Sequence, residues 1–339
     1  MSSRKKLNLV VTGAKGQLGS YLVDYFTKKS FLDNSRIGCV FGVDLEDLDI
    51  RCADDVAKFF SVKKNDPHVK IDYVIHCAAM TDTAAIEKDY SMSYAANCLG
   101  PKNIAEACAA NGIKIVFIST DYVLSELSMS HSTKLQEFPV NQYGLQKLIA
   151  EQFVKEAYSS KPKDCMILRS SWMFGNSDRS FVEKFLANVF KAYAAGKDSG
   201  KVQVPVVDDA YGRPTPVWFI ADTIECLVSN GLHGTMDLQY PFKQISRYEW
   251  AKMVWDAFIS EPCTDSTLHK MVDELREKVE VVPKSSASIG VQMHHPGKVG
   301  NDFMLLDGTA VYAQDTAAYV HSSWLKHASM ASSIINGTK

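Results

Sequence analysis

The stretch Leu7-Asn8-Leu9-Val10-Val11-Thr12-Gly13-Ala14-Lys15-Gly16-Gln17-Leu18-Gly19 decides how the chain is read. Its first half is a short apolar run, Leu7 to Val11, ending in Thr12-Gly13, the pattern of a buried strand. Beyond it Leu18, Tyr21, Leu22 and Tyr25 recur at i, i+3, i+4 and i+7, the period of a helix. The glycines therefore stand between a strand and a helix. Gly13 permits the tight turn, Gly16 lets a pyrophosphate approach the backbone, and Gly19 lets helix and strand pack closely. The helix N-terminus then turns its N–H groups toward the phosphates. The spacing is Gly-x-x-Gly-x-x-Gly, and a glycine turn that binds nothing is the competing reading. The strand and helix on either side favour dinucleotide binding, with Gly13, Lys15, Gly16, Gln17, Leu18 and Gly19 as contacts.

A second strand, Ile37 to Val43, ends in Asp44, placed to bond the adenosine ribose hydroxyls. That charge disfavours a 2′-phosphate and argues for NAD, whereas Lys15 argues for NADP. A solvated loop acid is the alternative reading of Asp44. Asp49-Ile50 follow where an adenine would lie, and Asp54 is expected to cap a helix from Asp55 to Lys63. A third strand, Ile71 to His76, runs into Cys77-Ala78-Ala79-Met80-Thr81, whose small residues leave room for a cofactor. His76 reads as a packed strand histidine. One long helix is expected over Tyr90 to Asn111, with Asn97 the odd polar residue. The fourth strand, Ile113 to Ile118, ends in Ser119-Thr120-Asp121-Tyr122-Val123. Thr120 sits where open α/β sheets bind ligands, and its hydroxyl bonds either a substrate oxygen or the local backbone.

After a polar loop, Ser125 to Pro139, a helix opens with Tyr143-Gly144-Leu145-Gln146-Lys147. Tyr143 and Lys147 lie one turn apart on one face. An ammonium beside a phenol favours the phenolate, which makes tyrosine a usable proton donor or acceptor near neutral pH. A solvated helix face is the bland alternative. Cys165 to Leu168 is a fifth strand, followed by Arg169-Ser170-Ser171-Trp172. Strands alternating with helices in this way give an α/β chain with a doubly wound parallel sheet. Residues 1–172 form the dinucleotide-binding domain, with segments around 202–232 returning to it, and 173–339 mostly form a smaller α+β substrate domain. There Arg213, in Gly212-Arg213-Pro214-Thr215, either grips an anionic substrate or makes a structural ion pair.

The 339 residues are 46% hydrophobic and 22% charged, an ordinary globular balance, and the net charge of -2 gives no reason to expect nucleic acid or an anionic membrane as partner. No apolar run reaches membrane-spanning length. Eight cysteines without a Cys-x-x-Cys pair point to a reducing, cytoplasmic setting. No His, Cys or acid cluster has metal-ligand spacing; the adjacent His294-His295 are too close to make one alone.

These motifs in this order resemble the extended short-chain dehydrogenase/reductase family: Gly13-x-x-Gly16-Gln17-Leu18-Gly19, His76-Cys77-Ala78-Ala79, Ser119-Thr120-Asp121-Tyr122-Val123, Tyr143-Gly144-x-x-Lys147-x-x-x-Glu151, Arg169-Ser170-Ser171-Trp172 and Gly212-Arg213-Pro214-Thr215. The branch is that of dTDP-4-dehydrorhamnose reductase, which also holds the regulatory beta subunit of methionine adenosyltransferase. The resemblance implies a Rossmann-like fold binding NADP(H) or NAD(H), with Thr120, Tyr143 and Lys147 as catalytic trio. It implies further cofactor contacts from Asp44, Asp49, Ile50, Cys77, Ala78, Ala79, Thr81 and Asn97, and substrate contacts from Thr120, Trp172, Arg213 and Thr215. The implied activity is reduction of a nucleotide-linked 4-keto-6-deoxy sugar, with Tyr143 protonating the C4 oxygen as hydride arrives. A cofactor-binding regulatory subunit and a nucleotide-sugar epimerase or dehydratase are the alternatives, and a homodimer is compatible with each. The chain departs from the branch at Leu124-Ser125-Glu126, at Ala84, and over His294-His295-Pro296-Gly297, Asn301 and Leu305-Leu306-Asp307.

Overall fold

Six parallel strands organise the first part of the computed structural model, which describes residues 5–64, 70–125, 137–175, 177–196, 198, 200–238, 240, 244–262, 265–289 and 318–336. The C-terminal departures named above, over residues 294–307, lie outside the described residues, as does Glu126. The chain divides into two units, 1–173 with 215–239, and 174–214 with 240–339.

In the first unit β1 (Leu7–Thr12), α1 (Gln17–Ser30), β2 (Ile37–Val43), α2 (Ala53–Lys64) and β3 (Tyr73–His76) follow in order. Then come α3 (Thr83–Lys88), α4 (Tyr90–Tyr94), a π-helical turn (Ala95–Leu99), α5 (Gly100–Ala110), β4 (Lys114–Thr120), α6 (Gln142–Ala157) and β5 (Cys165–Ser170). After the second unit begins, the chain returns with the helix Val217–Asn230 and the strand Gly234–Asp237. The sheet runs β2-β1-β3-β4-β5 and ends on that returning strand. β1 lies between β2 and β3, so the chain reverses direction across the sheet beside β1. Ligands of open α/β sheets bind at the carboxyl ends of strands at such a switch point.

The alternation of β1 builds two cores. Leu7, Leu9 and Val11 face Leu18, Leu22 and Phe26 of α1 and Val217, Ile220 and Ile224 of the returning helix. Val10 faces the other way, joining Val56 and Phe60 of α2, Ile104 and Cys108 of α5, and Ala150 and Val154 of α6. Burying side chains such as Phe26 and Phe60 contributes about 1.5–3 kcal/mol each. These two layers hold the strand ends in place for what projects above them.

Several elements differ in detail from the sequence reading. The second helix begins at Ala53, so Asp54 does not cap it; Asp54 and Asp55 occupy its first turn, where they complement the helix dipole. The helical run from Tyr90 is not uniform, because residues 95–99 wind as a π turn. The segment rejoining the first unit is 215–239, whereas 202–214 stays with the second.

The second unit contains the helices Phe181–Gly196, Arg247–Ser260, Ser266–Lys278 and Trp324–Ile335. A parallel pair joins Val202–Val207 to Val279–Lys284. Ser246 and Glu249 form a reciprocal capping box at the start of Arg247–Ser260. In the core of this unit Phe258 stacks on Trp324 and meets Phe190 at a tilt, and the Trp324 indole N–H donates to the Phe258 carbonyl at 2.9 Å.

Candidate active site

The glycine turn follows β1 directly. Gly13 has φ +67°, a left-handed conformation, and a Cβ there would meet the Ala78 backbone at 2.8 Å. The turn thus presses against the residues following β3. A Cβ at Gly19 would meet the Gly13 carbonyl oxygen at 2.1 Å, so the helix closes tightly on the turn. α1 begins without a side-chain cap and without an acid in its first turn. Such a helix end suits an anion, and the glycines leave the backbone bare above it. These features fit a dinucleotide's pyrophosphate. Leu18, by contrast, is buried in the core, and its side chain serves packing.

Asp44, at the end of β2, is not a loose loop acid. Its carboxylate accepts from the Lys15 backbone N–H at 2.7 Å and from that of Leu45 at 2.8 Å, tying the second strand to the glycine turn. The Lys15 ammonium is exposed and pairs with Glu46 at 2.6 Å. Asp49 bonds the Arg51 guanidinium, which holds its carboxyl below the usual range. Ile50 packs where a Cβ at Gly100 would meet its Cδ1 at 2.5 Å.

At the end of β3, Thr12 Oγ1 accepts from the backbone N–H of Cys77 at 3.2 Å and Ala78 at 3.4 Å. With those donors in place its own hydrogen points to His76 Nδ1, 2.7 Å away. His76 is therefore a neutral imidazole carrying its hydrogen on Nε2, and burial, with the Lys147 charge, pushes its pKa down to about 3. Asn97, in the π turn, accepts from the Met80 N–H at 2.8 Å and donates to the Met80 carbonyl at 3.1 Å. It also donates to the Gln146 side-chain oxygen at 3.0 Å, while Gln146 donates to Ser93 at 2.8 Å. Asn97 thus joins the β3 loop to α6 rather than standing free for a ligand. Thr81 is exposed.

The corner between β4 and α6 carries the proposed chemistry. Thr120 Oγ1 accepts from the Tyr122 N–H at 3.2 Å, capping the short turn 121–123. Asn141 caps α6 by accepting from the Gly144 N–H at 2.8 Å. A Cβ at Gly144 would lie 2.1 Å from the Tyr122 carbonyl oxygen, so only glycine lets the helix start abut that turn. The Tyr143 ring meets Tyr122 edge-on, with centroids 6.0 Å apart.

Lys147 corrects the expected pairing. Its ammonium donates to the Ile118 carbonyl at 2.7 Å and lies 4.0 Å over the Phe117 ring. Burial lowers its pKa to about 8, opposed by the charge of Glu151. The groups acting on Tyr143 are burial first, then Tyr122 and Asp121, and all raise the phenol above its ordinary value. The expected acidification of the phenol by the lysine is absent; desolvation wins, and Tyr143 is a protonated phenol at neutral pH.

Among the substrate-side expectations, the Trp172 carbonyl accepts from the Thr215 N–H at 3.0 Å, both within the first unit. Arg213 belongs to the second unit and is buried there. The sequence reading assigned no role to Asn141, Gly144, Glu151 or Arg169. A polar residue three positions before a helical glycine signalled the first pair. The turn-spaced Glu151 after Lys147 signalled the third.

Among the described residues no cluster of three or more His, Cys, Asp or Glu could hold a metal, and no helix is long and apolar enough to cross a membrane. The seven described cysteines are all outside disulfides.

Residues 7–293 match the family described as RmlD substrate binding domain. A dTDP-4-dehydrorhamnose reductase of Mycobacterium tuberculosis is 28% identical over 260 residues, spanning 75% of this chain and 76% of the relative. The solved structure of a dTDP-4-dehydrorhamnose reductase from Clostridium acetobutylicum is similar with a TM-score of 0.70 and 26% identity, covering 93% of this chain and 98% of that one. That of Bacillus anthracis, solved in complex with NADP, shares the fold with a TM-score of 0.68 and 24% identity over 94% and 99% of the two chains.

Proposed function

The chain belongs to the RmlD substrate binding domain family, and from that premise we propose that it is an NAD(P)H-dependent reductase of a nucleotide-linked 4-keto-6-deoxy sugar. The observation that carries this reading is the β4–α6 corner. Asn141 and Gly144 fix the start of the helix against the turn after Thr120, and burial keeps Tyr143 protonated. Tyr143 carries the proton a carbonyl oxygen needs as hydride arrives, and positive charge in the loaded site must offset the burial that raises its pKa.

In this reading the glycine turn, Asp44 and the 77–81 segment hold the dinucleotide, and Thr120, Trp172 and Thr215 of the same unit are the substrate-side residues, with Arg213 of the second unit the remaining candidate. A bound nicotinamide supplies the hydride to C4. Tyr143 passes its hydroxyl proton to the C4 oxygen, so ketone, hydride and proton balance to an alcohol. Lys147, held by the Ile118 carbonyl at 2.7 Å, gives this corner its fixed positive charge. Thr120 Oγ1 accepts from the Tyr122 N–H at 3.2 Å and donates weakly to Asp121 at 3.4 Å, a long bond that a substrate oxygen would have to replace.

Purified protein given dTDP-4-keto-6-deoxymannose is expected to consume NADPH or NADH in proportion to the sugar reduced. No consumption across a panel of nucleotide keto sugars would refute the assignment.

A further inference from the structure

Glu151 sits one helical turn beyond Lys147 and is fully buried. A carboxylate taken from water is strongly destabilised unless it is paired and hydrogen-bonded. Here it accepts from Ser119 Oγ of β4 at 2.7 Å and from Arg169 of β5 at 2.9 Å through Nε and 2.7 Å through Nη2. Arg169 is itself buried, and its remaining donors reach Glu137 at 2.8 Å and Asp237 of the returning strand at 3.4 Å. One guanidinium thus gathers three carboxylates, and Lys155 adds a half-exposed cation 3.7 Å from Glu151. The cluster ties α6 to the two strands behind it, within the first unit.

The groups surrounding Lys147 give that cluster a purpose. From β3 comes His76, kept neutral, and from the residue after it Cys77, a thiol whose pKa burial pushes up to about 12. From the π turn comes Cys98, its thiol likewise raised to about 12 by burial. Tyr143, on the same helix, is held protonated, and Asp121 borders Tyr143. β4 offers the Ile118 carbonyl and the Phe117 face, both without formal charge. Near neutral pH none of the neighbours from β3, β4 or the π turn carries a negative charge. Among the described residues acting on Lys147, the anion is Glu151.

Resting on the reductase reading above, we infer that Glu151 is a positioning residue: anchored by Ser119 and Arg169, it fixes the helix carrying Tyr143 and Lys147 against β4 and β5 and keeps the Lys147 side chain an ammonium. It touches neither substrate nor cofactor in this role. It acts through Lys147, whose charge would otherwise be surrendered to a dry environment.

The test is Glu151→Gln, which preserves shape and removes the charge. Glu137 and Asp237 remain on Arg169, so the guanidinium is not left alone. The lysine titration is read by NMR on protein carrying 13C at lysine Cε, with Lys147→Met identifying the resonance. This readout needs no turnover, so it stands even where the sugar-nucleotide assignment fails. In Glu151→Gln the acid dissociation constant of Lys147 is expected to rise about tenfold or more. Where turnover is measurable, the alkaline limb of the kcat profile moves to lower pH while KM for the cofactor changes less. Glu151→Asp, which keeps the charge, restores the titration toward wild type. An unchanged Lys147 titration in folded Glu151→Gln overturns the proposal, as does an equal shift in Gln and Asp variants. Should Glu151→Gln fail to fold, Ser119→Ala is read instead. It removes one of the anchors, and a kcat and a Lys147 titration both equal to wild type overturn the proposal.

Discussion

Two corners of the same sheet, the glycine turn after β1 and the helix start after β4, stand beside the same strand ends and are built on opposite principles. The first is made of backbone. Its glycines clear space, its charged side chains Lys15, Glu46 and Asp44 sit at an exposed or half-buried rim, and its ion pair is in water. The second is made of buried side chains, with Lys147, Glu151 and Arg169 taken out of solvent and satisfied one by one. In water a charge pair attracts weakly; in a dry site it attracts strongly, but that attraction has to offset the cost of desolvation. A ligand grip is thus placed where side chains matter least, and proton chemistry where each charge is controlled.

Replacements at the second corner should therefore outweigh those at the first. Tyr143→Phe removes the proton donor and is expected to lower kcat about 10²- to 10⁴-fold, with cofactor affinity retained by titration of NADPH fluorescence. Retained kcat would show that the corner is not catalytic. Gly144→Ala drives a Cβ against the Tyr122 carbonyl oxygen and should destabilise the protein by about 2–4 kcal/mol in urea unfolding.

Lys147→Met separates stability from activity. Its ammonium is dehydrated, so an apolar side chain of similar length is expected to leave the melting temperature equal or higher while kcat falls. The pH behaviour of the native protein has a defined sign. Activity needing the ammonium declines as pH rises through about 8. Stability moves oppositely: the unfolded chain holds that proton up to 10.5, so between about 8 and 10.5 this group makes folding more favourable as pH rises.

Gly13→Ala tests the first corner, where φ is positive and the Ala78 backbone is close; a loss of about 1–3 kcal/mol and weakened dinucleotide binding are expected by thermal shift. The smallest effect belongs to the rim. Glu46→Gln releases Lys15 and should tighten NADPH binding over NADH by about two- to fivefold, since solvent screens an exposed pair. A large effect there would erase the contrast between the corners.

What the sequence made legible was whatever local periodicity and backbone demands dictate. The strand–glycine–helix order, the alternation of the sheet and the shared face of Tyr143 and Lys147 follow from spacing alone. Partner choice does not. Asp44 bonds Lys15 from 29 positions away and Asn97 reaches Gln146 across 49, contacts that exist only once the sheet is assembled. The same limit explains the phenol. Its neighbour Lys147 has the right spacing, but the pull of the Ile118 carbonyl and the dryness of the site are set by β4, not by the helix. The π turn escaped the reading because one added residue leaves the apolar period nearly intact.

The returning strand Gly234–Asp237 carries a consequence for synthesis. β5 emerges from the ribosome well before the strand that will flank it, and the whole of 174–214 must be made in between. During that interval the nascent sheet presents a bare, hydrogen-bonding margin to any other chain, and Arg169 waits for Asp237. Fragments ending near residue 173 should therefore stick to one another, and slower translation beyond that point would lengthen the need for a chaperone.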